Sequence, residues 1–243
     1  MSAYRPEFEA ALRLFARVSE AMHERGLPRP ILVGGAAAEL YSTSALTTGD
    51  FDLCSPYQPE LEQEMQTLGF VRPSGAGMKT KGLVHPGLAL GFEVVATTPM
   101  DGSVDRAHIL LVQPIGESAQ FRVISVEDLI ADRMGQYASG TARDRLYRRS
   151  CCYRFTPTSI WSIWSGEFVK KAQAIMASKT SRADTETVID MAELGARVAK
   201  RKAELGIVDP TDPSLVKGRN SGGRRTESKK ALLKAIKDAG GKW

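Results

Sequence analysis

The chain has no apolar run near the roughly 18 residues of a membrane span, which argues against a helical membrane anchor. Its first ten residues, MSAYRPEFEA, contain no apolar stretch of the secretory kind, so a cytoplasmic protein without a membrane partner is expected. Cysteine is scarce: Cys54, Cys151 and Cys152 make neither a disulfide framework nor a zinc spacing, and reduced thiols are the plain reading. Lysine is almost missing from the first 146 residues, which hold only Lys79 and Lys81 of the chain's thirteen. That part carries 13 Lys+Arg against 18 Asp+Glu, a net charge of −5, whereas residues 147–243 carry 20 against 10, a net of +10. A composition break of that size points to two segments with different jobs.

What is present is concentrated between Pro30 and Pro56. A short apolar strand, Ile31-Leu32-Val33, runs into Gly34-Gly35, an alanine-rich helix follows, and the segment returns through Thr47-Thr48-Gly49 to Asp50-Phe51-Asp52-Leu53. Residues two apart on a strand share a face, so Asp50 and Asp52 project together while Phe51 and Leu53 turn to the core. Two such carboxylates repel unless a cation lies between them, and magnesium is the usual one because it prefers hard oxygens and bridges carboxylates to phosphates. Glycines let backbone approach a phosphate, and a helix N-terminus favours anions. Gly34, Gly35 and the hydroxyl of Thr48 are therefore candidates for holding a triphosphate beside a metal at Asp50 and Asp52. An Asp-x-Asp at a strand end that serves only solubility is the plainer alternative.

Around this stretch, residues 6–25 place Phe8, Leu12, Phe15, Val18 and Met22 at helical spacing, with Pro6 at the start and Gly26 at the end. Tyr57–Gly69 reads as a second helix, and Leu83–Pro86, Leu88–Thr97, His108–Gln113 and Phe121–Ile124 read as strands. Glu93 lies in the second of these strands among Phe92, Val94 and Val95. A lone acid there is costly to bury unless a metal or hydrogen bonds compensate, and an outward-facing glutamate is the alternative. Lys79 and Lys81, in a turn-rich loop, either reach phosphate oxygens or are ordinary exposed lysines; His23 reads as a solvated residue or a partner of the helix dipole, and His85 as structural, with a substrate contact the alternative. Ser125, followed three residues later by Asp128, caps a helix.

The order of apolar strand, Gly-Gly, helix and Thr-Gly-Asp-Phe-Asp-Leu resembles the nucleotidyltransferases of the DNA polymerase β superfamily, and within it the AbiEii-type proteins, many of which are toxins of bacterial toxin–antitoxin pairs. The resemblance covers about residues 5–146. It implies an α+β fold, a mixed sheet flanked by helices. It also implies transfer of a nucleotidyl group from a nucleoside triphosphate to a hydroxyl of tRNA or protein, with an antitoxin as a further partner. Two magnesium ions would be held by Asp50, Asp52 and Glu93, Glu93 being the third carboxylate and the base on the incoming hydroxyl. The VISVEDLIADRM run resembles the family's helix that turns a basic residue to the nucleotide; Arg133 holds that place, and arginine can clamp phosphate but cannot donate a proton as lysine does. Asp144 falls where the family has an acid on the next helix, or serves as a surface ion-pair partner.

After Leu146 the likeness ends. Residues 147–175 join adjacent cysteines, a repeated Ser-Ile-Trp and scattered arginines without steady periodicity, an atypical linker consistent with a change of reading frame near Leu146. Residues 176–243 are expected as a separate basic unit, with helical spacing over Thr185–Leu205 and a short basic helix presenting Leu232, Leu233 and Ile236. It is either a partly disordered tail or an arm for nucleic acid or a protein partner. The competing functional reading follows: a truncated, inactive enzyme fused to a basic, antitoxin-like binding module.

Overall fold

The computed structural model describes residues 4–73, 80–138, 188–204 and 227–240. Lys79, Asp144, Cys151, Cys152 and the whole expected linker lie outside the described residues.

Helix α1 (Pro6–Glu24) starts on a proline at its first turn and buries Phe8, Leu12, Phe15, Val18 and Met22, the stripe its periodicity called for. Strand β1 (Ile31–Val33) leads directly into α2 (Gly34–Ser42), so the glycine pair is the first turn of the helix rather than a loop before it. Strand β2 (Asp50–Cys54), helix α3 (Gln58–Thr67), and strands β3 (Leu83–His85), β4 (Leu90–Ala96), β5 (Leu110–Gln113) and β6 (Phe121–Val123) follow. Helix α4 (Val126–Ala138) is capped as expected: the Ser125 hydroxyl accepts from the Asp128 N–H at 3.0 Å and donates to its carboxylate at 2.7 Å.

Among the described residues seven strands form one mixed sheet in the order β3-β4-β2-β1-β6-β5-β7, flanked by helices; the fold is α+β. Its seventh strand, β7 (Val188–Asp190), belongs to the basic part of the chain and pairs parallel with β5. The single helix expected over 185–205 is thus a short strand followed by α5 (Met191–Glu204). Val188 and Ile189 are β-branched and meet an open sheet edge, and Asp190 ends the strand by accepting from the N–H groups of Ala192 and Glu193 at 2.7 and 3.2 Å. Met191 and Leu194 of α5 are buried in the same core as α1 and the sheet. The described stretches beyond residue 176 therefore pack onto the first part. No helix among the described residues is long and apolar enough to cross a membrane.

Aromatic packing sets the register of the central strands. Phe51 and Phe92 are Cα partners in the parallel β2–β4 pair, and their rings stack at 4.4 Å between centroids. Phe8 closes on Phe51 at 5.4 Å and Phe70 meets Phe92 edge-on at 4.8 Å. A slip of one residue would throw these rings to the opposite face, so the core specifies the pairing.

Candidate active site

The same register that stacks Phe51 on Phe92 sets Asp52 beside Glu93 and Asp50 beside Gly91, on the opposite side of the strands from the rings. Sequence alternation within β2 pairs the two aspartates; the β4 register adds the third carboxylate. All three meet one cation, the Lys229 ammonium, on α6 (Glu227–Asp238). Its Nζ is ion-paired with Asp50 Oδ2, lies 2.6 Å from Asp52 Oδ1, and is 3.6 Å from Glu93 Oε2. Burial works against the Lys229 charge, but Asp52 and Asp50 outweigh it and hold the ammonium above its ordinary range.

The neighbouring groups orient these acids. The Thr48 hydroxyl donates to Asp50 Oδ1 at 3.0 Å, and the Ser228 hydroxyl donates to Glu93 Oε1 at 3.2 Å. Gly34, at the start of α2, has φ +65°, and a Cβ there would overlap the Asp52 carboxylate, so only glycine lets the helix start against it. Gly35 is buried in the first turn of α2, whose N-cap residue Val33 gives no side-chain cap. The first N–H groups of a helix have no intrahelical acceptor, so this end of α2 suits an anion beside the carboxylates. Gly34→Ala is expected to cost at least about 1–2 kcal/mol for its left-handed backbone alone, and to displace Asp52; urea unfolding reads the first effect and divalent-cation affinity the second.

Arg133 is buried on α4, which packs on α2, and Lys229 is a cation in contact with all three carboxylates. Lys81 is exposed, and its backbone N–H donates to Ser228 Oγ at 3.1 Å. His85 packs edge-on against Phe70 at 5.1 Å, as a structural residue does, and His23 is exposed at the end of α1, as a solvated residue is. Cys54 is buried, and burial, with the charges of Asp52 and Asp132 nearby, pushes its thiol up to about 12, out of reach of thiolate chemistry.

Hard oxygen donors from three carboxylates are the set that magnesium takes, and Asp50 Oδ2 is ion-paired with the Lys229 ammonium. Among the described residues no three acidic, His or Cys side chains are closed around a metal-sized point. Here the carboxylates are spread around an ammonium, with Glu93 the farthest of the three from it.

Lys229 and Ser228 are the site residues that the sequence reading missed. A signal for the first is present: Lys229, Leu232, Leu233 and Ile236 follow helical i, i+3, i+4, i+7 spacing, so the lysine falls on the apolar stripe of its own helix. No family model, curated protein or solved structure matches this chain.

Proposed function

We propose that the chain is a nucleotidyltransferase of the polymerase β kind, moving a nucleotidyl group from a nucleoside triphosphate to an acceptor hydroxyl. The observation that supports this best is the alignment of Asp52 with Glu93 on paired strands, with Asp50 on the same face and the N-terminus of α2 against Asp52. Two magnesium ions held by Asp50, Asp52 and Glu93 would stabilise the attacking and leaving oxygens. The backbone N–H groups of Gly34 and Gly35 bind triphosphate oxygens. Thr48 keeps Asp50 turned to the site through its hydroxyl, and Glu93 accepts the proton of the attacking hydroxyl. The hydroxyl oxygen bonds to the α-phosphorus, the bond to the β-phosphate oxygen breaks, and pyrophosphate leaves.

The acceptor class is a hydroxyl of RNA or protein, with tRNA the first to test. Incubation of the full chain with each α-labelled nucleoside triphosphate, magnesium and bulk tRNA is expected to label the RNA or the protein itself. No label from any of the four, with wild type and with Lys229→Met alike, would refute the reading. One observation favours a second reading, in which the chain as it stands does not turn over: Lys229 already sits among the carboxylates.

A further inference from the structure

We propose that α6 is an internal plug for the carboxylate site, in which the Lys229 ammonium takes the place of a divalent cation, so that helix and cation exclude each other. The inference rests on the functional reading above and concerns the control of that site.

Three independent features of α6 converge on this arrangement. Lys229 reaches all three carboxylates, which come from two strands distant along the chain, 177 residues away at Asp52, and Ser228 reaches Glu93 across 135 residues. Ser228 occupies Glu93 Oε1 and accepts from the Lys81 N–H, so one oxygen of the carboxylate proposed to take the acceptor's proton is already engaged. The rest of the helix is seated by shape. Leu232 and Ile236 are fully buried with Leu233 against Val84, and they fill the space over Gly82 and Gly91. A Cβ at Gly91 would come within 2.6 Å of Ile236 Cδ1, and one at Gly82 within 2.8 Å of Leu232 Cδ2. Two glycines thus make the bed of the helix immediately beside the aspartates and Glu93.

The contact is also built to be reversible. Leu232, Leu233, Ile236 and Val84 form a small cluster of their own, distinct from the main core, so α6 can lift without opening the sheet. Among the described residues three carboxylates face the single charge of one ammonium. A divalent cation neutralises them better and draws the equilibrium towards the open chain by mass action. The apparent cation affinity is then the open form's affinity multiplied by the fraction of molecules in which α6 is lifted.

Manganese serves as a paramagnetic probe of the site, with free Mn²⁺ read by electron paramagnetic resonance during titration of the full chain. Lys229→Met, which keeps most of the aliphatic stem, is expected to bind Mn²⁺ at least tenfold more tightly than wild type. Asp52→Asn in that background is expected to remove the gain. Ile236→Asp, which unseats the helix while keeping the lysine in the sequence, is expected to tighten binding as Lys229→Met does. Equal affinities in wild type and Lys229→Met, both weakened by Asp52→Asn, would overturn the plug while leaving the metal site standing. Tightening by Lys229→Met but not by Ile236→Asp would likewise overturn it, since the lysine would then act without the helix. No Mn²⁺ binding in any variant would remove the metal-site reading and the plug with it.

Discussion

Asp52→Ala is expected to lower nucleotidyl transfer at least about a thousandfold. A lost metal ligand removes several kcal/mol of charge stabilisation, and each 1.36 kcal/mol is a factor of ten in rate. Asp52 sits on the face of β2 away from the Phe51–Phe92 stack, with its side chain about one-fifth exposed, so the fold does not depend on it. A loss of rate without a loss of unfolding midpoint is therefore the expected pattern, and Asp50→Ala should share it. The comparison is cleanest with Lys229→Met as the parent, because α6 then no longer limits turnover. Activity within tenfold of that parent in both variants would remove the carboxylates from the chemistry.

The legible part of this site is the part that local rules govern. Alternation along five residues of β2 separates Asp50 and Asp52 from Phe51 and Leu53, and the latter two are fully buried. Glu93 is visible as an acid in an apolar strand, and the neighbouring Phe92, which pairs with Phe51, brings it into line with Asp52. The stripe of α1 is likewise a matter of period, and all five of its large residues are buried. What lies beyond reach is tertiary. Val188 and Ile189 are β-branched, but so short a run inside a helically spaced stretch becomes a strand only because the edge of β5 is there to meet it. The jump in charge at residue 147 is real, yet charge composition does not report contacts: Lys229, from the basic side of that break, makes the ion pairs at the heart of the acidic side. The helix of Leu232, Leu233 and Ile236 was readable; the surface against which it packs was not.

Arg5→Ala is the substitution expected to damage folding most, by about 3–5 kcal/mol, the range for removing one partner of a buried ion pair. Glu39 is fully buried on α2, where its carboxylate accepts from Arg5 Nε at 2.5 Å, Arg5 Nη2 at 3.1 Å, the Thr48 N–H at 2.6 Å and the Ser44 hydroxyl at 3.1 Å. Arg5 Nη2 also donates to the Thr48 carbonyl at 2.6 Å, so the pair ties the entry of α1 to the segment that delivers Asp50. Burial pushes the Glu39 carboxyl above its ordinary value of 4.5, with Arg5 the foremost of the groups pulling it back down. Without Arg5 it rises further. A carboxyl raised in the folded state contributes stability that is fully present below its unfolded value and lost as pH climbs through the folded one. The deficit of Arg5→Ala should therefore be smaller near pH 4.5 than at pH 7–8, as read from urea midpoints at each pH. Arg5→Ala with Glu39→Gln should recover part of the loss at neutral pH, because no charge is then left buried without its partner. A deficit that is flat across that range, or no recovery in the double variant, would mean that the chain does not hold Glu39 ionised, and that Arg5 acts only through its bond to Thr48.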